Sequence, residues 1–223
     1  MSSDNNQSAN RRRKRVLVLG ATGTIGRATT RALVRAGHEV TCFVRRAAGP
    51  GGGLGPERTR ALLDGAAVRF GDVTDAASLH EDGFGGDRFD VLVSCLASRD
   101  GSPKGAWAID YQANRDAVAA ARDAGVGHVI LLSAICVQKP RLEFQRAKLA
   151  AEKALIGSGI TYSIVRPTAF FKSLSGQIDR LQRGKPFLVF GDGQLTACKP
   201  ISDQDLGDYL VGCIDDPSRH DRI

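Results

Sequence analysis

Arg15-Val16-Leu17-Val18-Leu19-Gly20-Ala21-Thr22-Gly23-Thr24-Ile25-Gly26 decides the fold of this chain. Val16 to Leu19 are consecutive apolar residues and read as a strand buried on both faces of a parallel sheet. The strand runs directly into glycines at 20, 23 and 26, and then into a helical pattern over Arg27 to Ala36. After a buried strand and before a helix, that triplet reads as a dinucleotide-binding turn. Gly20 permits the tight turn, Gly23 lets the backbone approach a pyrophosphate, and Gly26 allows close packing of helix on strand. The helix N-terminus offers its N–H groups to the phosphates. A glycine-rich turn with no ligand is the bland alternative.

Working outward, Glu39 to Val44 reads as a second strand that ends in Arg45-Arg46. An NAD site places an acid there, about 20 residues past the glycine turn, for the ribose 2′-hydroxyl. Two arginines and no acid fit the 2′-phosphate of NADPH, which a guanidinium binds in a bidentate way. The alternative is a basic strand end on the surface. A glycine-rich stretch, a short helix (Glu57 to Asp64) and a third strand (Ala67 to Phe70) follow. Gly71 to Asp75 then resembles the acidic turn of the short-chain dehydrogenase/reductase superfamily, which implies a bond from Asp72 to the adenine amino group, and Asp75 reads equally as a helix N-cap. Asp90 to Cys95 is the fourth strand, and Leu96-Ala97-Ser98 beyond it is expected along the cofactor ribose. A long helix over Ala106 to Ala124 carries Asn114. Val126 to Leu132 is the fifth strand and delivers Ser133 to the carboxyl edge of the sheet, where ligands of open α/β sheets bind. Thr161 to Pro167 is the sixth strand and its turn. Alternating strands and helices predict an α/β fold, a Rossmann-type doubly wound parallel sheet.

Past Pro167 the pattern changes. A helix through about Arg183, the run Phe187 to Gly193 and a final helix (Ile201 to Ile214, capped by Ser202) suggest a smaller, incomplete substrate lobe. The expected division is a disordered basic leader (1–14), an NADP-binding domain (15–168) and part of the lobe (169–223).

Composition removes other classes. The chain of 223 residues is 42% hydrophobic and 25% charged, as an ordinary globular protein is. Its net charge is +7, but residues 1–15 hold five basic residues against one acidic, so +4 lies there and +3 elsewhere. That balance does not support a nucleic-acid footprint. The run Arg11 to Arg15 reads as a solvated tail, or as a weak peripheral attachment to an anionic membrane. Five widely spaced cysteines and four scattered histidines suggest neither disulfides nor a metal site, and suit a reducing cytoplasm.

The second informative stretch is Leu132 to Lys148, L-S-A-I-C-V-Q-K-P-R-L-E-F-Q-R-A-K. Together with the glycine spacing it resembles the short-chain dehydrogenase/reductase superfamily. There a Ser after the fifth strand joins Tyr-x-x-x-Lys on the next helix, the phenol acting as general acid and the lysine holding the nicotinamide ribose. Ser133 and Lys148 match, but the tyrosine position is Phe144, which has no proton to donate. The resemblance also implies cofactor contacts from Thr22, Thr24, Ile25, Val73, Leu96, Ala97, Pro167 and Lys148.

A wider match, through T-Y-S-I-V-R-P-T-A-F-F-K-S-L and F-G-D-G-Q-L-T-A-C-K-P-I-S-D-Q-D-L, resembles the divinyl chlorophyllide 8-vinyl-reductases. It implies NADPH-dependent reduction of the C8 vinyl group of divinyl chlorophyllide or protochlorophyllide to ethyl, in chlorophyll or bacteriochlorophyll synthesis. Lys148, Ser133, Cys136 or water would then supply the proton. Phe144, Phe170, Phe171 and Phe190 are candidates for an apolar cleft wall, each equally readable as core. Lys172, Lys199 and Arg166 are candidates for the substrate propionate. The family continues beyond this C-terminus, and the want of a transit-type leader suggests a photosynthetic bacterium, with the protein in the cytoplasm at its photosynthetic membranes. Two alternatives stay open: a non-catalytic NADP-sensing regulator of the nitrogen-repression kind, and an isoflavone-reductase-like enzyme acting on another conjugated substrate.

Overall fold

The computed structural model describes residues 13–47, 53–189, 192 and 199–223. In chain order it contains β1 (Arg15–Leu19), α1 (Thr24–Arg35), β2 (Glu39–Val44), α2 (Pro56–Leu62) and β3 (Ala67–Phe70). Next come α3 (Ala76–Ser78), which opens into a π-helical turn (Leu79–Phe84), and β4 (Val91–Ser94). The long helix predicted over 106–124 begins as α4 (Pro103–Gly105), widens into a π-helical segment (Ala106–Ala113) and tightens again as α5 (Asn114–Asp123). After β5 (His128–Leu132) the chain forms α6 (Glu143–Ile156), β6 (Thr161–Val165), a 3₁₀ turn (Phe171–Leu174), α7 (Ser175–Gln182) and α8 (Asp203–Asp215).

The six strands are all parallel, in the order β3-β2-β1-β4-β5-β6. This is the doubly wound sheet expected from the sequence. Because strand side chains alternate between faces, Val16 and Val18 of β1 pack on one side and Leu17 and Leu19 on the other. The first set joins Val40, Cys42, Val91, Val93 and Ile130 with Ile25 and Leu33 of α1 and Leu206, Leu210 and Val211 of α8. The second joins Phe43, Leu92, Val129 and Leu131 with Ala117 and Val118 of α5 and Ala151 and Leu155 of α6.

Two local readings change. Lys14, assigned to the leader, is already held at the sheet, its carbonyl accepting the Glu39 N–H at 2.9 Å. The last helix, assigned with 169–223 to a smaller lobe, is instead core. Ser202 caps α8 by accepting the Asp205 N–H at 3.0 Å, and the helix lies along α1. The two backbones meet at Gly207, where a Cβ would lie 2.9 Å from the Ala28 carbonyl carbon and 3.0 Å from its oxygen.

At the amino edge of the sheet the His128 ring lies against His220, with centroids 4.4 Å apart. The Ser163 hydroxyl donates to Arg219 O, so its oxygen accepts from His128 Nε2 at 3.0 Å. Burial, reinforced by the neighbouring His220, pushes His128 down to about 4.

Two outcomes follow from this packing. Gly207→Ala should destabilise the fold by about 1–3 kcal/mol in urea unfolding, although alanine is the better helix former, because the overpacked contact is backbone. Gly176→Ala in α7, where a Cβ meets nothing within 4 Å, should be neutral or stabilising. The second outcome concerns acid. The unfolded chain protonates His128 near its ordinary value while the folded chain does not, so stability is lost as pH falls from about 6.5 toward 4. Urea midpoints measured across that window should fall, and His128→Phe should flatten the fall.

Candidate active site at the carboxyl edge

The site is built on the turn that follows β1. Gly20 adopts φ +74°, and a Cβ there would sit 2.5 Å from the Cys95 carbonyl oxygen. A Cβ on Gly26 would collide with the Gly20 carbonyl. The Gly23 N–H closes the turn onto Gly20 O at 3.0 Å. Gly23 gives α1 no side-chain cap, and the first turn carries no acidic residue. The positive end of the helix therefore faces the cradle uncompensated, which suits a diphosphate. Thr22 and Thr24 line the turn half-buried, while the Ile25 side chain belongs to the core. Lys172, expected at the substrate propionate, reaches this turn instead, with Nζ 2.8 Å from Thr24 Oγ1.

The adenosine side is open. Arg45 and Arg46 leave the end of β2 exposed, and the Arg46 guanidinium stands 6.0 Å from the centre of the Phe70 ring. Asp72 uses one carboxylate oxygen to accept from the Thr74 N–H and hydroxyl, at 2.9 and 2.7 Å. Val73 is buried in the core, so only its backbone can meet a ligand. Asp75 is a helix cap, accepting from Ala77 N.

At the other end of the crevice, β5 places Ser133, 4% exposed, with a hydroxyl that has no hydrogen-bond partner among the described residues. A buried unsatisfied hydroxyl is costly, and this one stands at the carboxyl edge. Lys148 comes from α6 and is buried. Its Nζ meets Leu96 O at 3.3 Å, Leu132 O at 3.2 Å and Asp110 Oδ1 at 3.1 Å. Leu96 is buried beside it and Ala97 is exposed. Pro167 is buried and ties the loop after β5 to the turn after β6, its carbonyl accepting from Ile135 N at 3.1 Å. Cys136 is exposed, with φ +68°. Phe144 stands partly exposed in the first turn of α6. The turn, the orphan hydroxyl and the lysine together fit a nicotinamide dinucleotide.

The residues expected around a substrate divide. Phe171 is exposed, whereas Phe170 packs on the core and pairs with Ile201 through an isolated β-bridge. Lys199 is exposed, its carbonyl accepting from Thr168 Oγ1 at 2.6 Å. Phe190 lies outside the described residues. Arg166 is withdrawn from any propionate role: it forms a bidentate pair with the buried Glu152, at 2.9 and 2.5 Å, and that carboxylate raises its pKa. Two residues went unnoticed in the sequence. Asp110 was hidden inside a helical pattern, although an acid on an Ala-rich face was a readable signal. Trp107, 40% exposed, donates Nε1–H to Glu143 Oε2 at 2.9 Å, beside Phe144. As the only tryptophan of the chain it could have been singled out.

A cavity of about 820 Å³ opens at the opposite, amino edge of the sheet, lined by residues that include Arg15, Asp90, His128 and His220. Its position separates it from the glycine turn.

Comparison with known proteins bears on the same edge. The chain is 48% identical over 213 residues to a protein of Oryza sativa subsp. indica named divinyl chlorophyllide a 8-vinyl-reductase, chloroplastic, covering 93% of this chain and 53% of that one. It is 49% identical over 209 residues to the Arabidopsis thaliana protein of the same name, covering 89% and 49%. The chain thus spans about half the length of the curated relatives it matches. Among solved structures it is similar to the Citrobacter sp. triphenylmethane reductase complexed with NADP(H), with a TM-score of 0.72 and 18% identity over 93% of this chain and 67% of that one. That likeness is one of fold. A family model described as NAD(P)H-binding matches residues 20–217, and the chain belongs to that NAD(P)H-binding family.

Proposed function

We propose that this chain is the cofactor-binding and catalytic part of an NADPH-dependent 8-vinyl-reductase, acting on the C8 vinyl group of divinyl chlorophyllide or protochlorophyllide. The observation that carries the reading is the 48–49% identity to plant proteins of that name over 89–93% of the chain. The resident chemistry agrees with it. Ser133 and Lys148 stand at the carboxyl edge while the tyrosine position is Phe144. A site without a phenol acid is poorly suited to making an alcohol from a carbonyl. It is adequate for a conjugated vinyl group, because a macrocycle can spread the negative charge that an isolated alkoxide would concentrate.

NADPH would supply the hydride, held by the glycine turn, Lys172 and the Arg45-Arg46 pair. Lys148 has three N–H bonds and three acceptors, so its role is that of a fixed positive charge rather than a proton carrier. Ser133 is the better placed group to move a proton, since its hydroxyl is uncommitted. Phe144, Phe171 and Trp107 present apolar surface at the same edge, where a flat macrocycle can exclude water. A place in bacteriochlorophyll as well as chlorophyll synthesis, and weak peripheral attachment through Arg11 to Arg15 to an anionic membrane, belong to the same reading. No helix among the described residues is long and apolar enough to cross a membrane.

The test is to mix the protein with NADPH and divinyl chlorophyllide and follow the Soret band. A shift to the monovinyl position supports the reading. Tight NADPH binding with an unreduced macrocycle overturns it and favours an NADP-sensing regulator.

Two variants sharpen it. Replacing Arg45 and Arg46 by Ala should weaken NADPH more than tenfold and leave NADH nearly unchanged, at roughly 1.5–3 kcal/mol per charge-assisted bond; fluorescence titration of both cofactors reads it. Phe144→Tyr should not speed single-turnover vinyl reduction, since no oxyanion forms beside it, and a clear gain would restore the ordinary superfamily acid.

A further inference from the structure

The buried acid Asp110 has no part in the assignments above. It lies in the π-helical segment, with its side chain 3% exposed and that of Lys148 9% exposed. One carboxylate oxygen meets the Lys148 ammonium at 3.1 Å. The other accepts the Ser98 N–H at 3.2 Å. Asp110 thus joins α6 to the loop after β4, the loop whose Leu96 carbonyl also takes the ammonium.

The helix is shaped to put the acid there. A π-helical turn leaves carbonyls that an α-helix would satisfy, and such turns recur at functional sites. Asn114 compensates it, donating from Nδ2 to Ile109 O and Asp110 O, both at 3.1 Å, while its Oδ1 accepts from the Ser94 hydroxyl at 2.5 Å. The widened segment is therefore pinned to the end of β4. A buried ion pair is a weak stabilising device, since a well-packed apolar pair does as well, but removing one partner leaves a stranded charge. A pair maintained at this cost where the lysine also meets the end of β5 calls for a functional reason.

We propose that Asp110 is a positioning residue for the NADPH site: it holds the Lys148 side chain against the 96–98 loop, so that the lysine acts on the nicotinamide ribose by charge and geometry.

The groups facing Lys148 allow a clean test. They are Asp110 from the π-helical segment, the Cys95 thiol after β4, whose burial raises it to about 11, and the Leu96 and Leu132 carbonyls. One turn along α6, Glu152 is neutralised by Arg166 from the segment after β6. Asp110 is the carboxylate among the described residues that pairs with the ammonium. In Asp110→Asn the ammonium keeps its burial and loses its counter-charge. NADPH affinity, measured by fluorescence titration from pH 6 to 10, should then be weaker throughout and fall off earlier on the alkaline side than in the parent protein. In the Lys148→Met background the same change should have no further effect on affinity or its pH profile. An unchanged profile in Asp110→Asn, or effects that simply add in the double variant, overturns the proposal. If Asp110→Asn does not fold, urea unfolding of the double variant decides, because removing both charges should restore stability and a failure to do so refutes the pairing. NADPH binding is read without substrate, so a protein that never reduces a vinyl group still tests this role separately from the proposed reaction.

Discussion

The carboxyl edge of this molecule depends on how closely two backbones meet between β1 and β4. The turn after β1 passes so near the Cys95 carbonyl that a single methyl group at residue 20 would not fit. These two strands are neighbours across the point where the strand order reverses, so their exits diverge to opposite faces and leave a crevice between them. The Cys95 contact sets more than the glycine turn. The next residue is Leu96, whose carbonyl is one of the three acceptors around Lys148. The glycine turn and the cluster around Lys148 are thereby tied together through consecutive peptide units.

A second constraint is charge in a dry place. Helix α6 carries Lys148 and Glu152 one turn apart, both buried, each paired with a residue from another element. Neither pair is an economical way to hold a helix on a sheet. What they provide is fixed orientation: dipoles and charges already in position do not have to reorganise when a ligand arrives. Ser133 differs in kind, because its hydroxyl has no partner among the described residues. The edge combines groups that are fully satisfied with one that is not.

Much of this was legible in the residues. Strands β1 and β4 fall where their apolar runs put them, because central parallel strands are apolar on both faces and little else produces such a run. The glycine spacing was read correctly as a turn because its context, strand before and helix after, is itself encoded locally. What escaped depends on contacts distant in sequence. The π-helical widening at Ala106–Ala113 cannot be seen in a periodicity that differs from the α-helix by less than a residue per turn. Arg166 looked like a free cation because its partner Glu152 sits on another element. Lys172 follows the sixth strand in sequence, yet its ammonium ends on the first helix. The last helix read as peripheral because nothing local says that Gly207 touches Ala28. The run from Phe187 to Gly193 gave neither period clearly, and part of it lies outside the described residues.

The contact between α1 and α8 also sets an order of events during synthesis. Helix α1 follows the glycine turn, and its flank packs against residues 203–215. At roughly 5–20 residues per second, a ribosome needs on the order of ten seconds to travel from one helix to the other. Through that interval the nascent chain shows an unfinished apolar face beside a glycine turn that is already encoded. The core around the first helix is therefore complete only after the last one has been made.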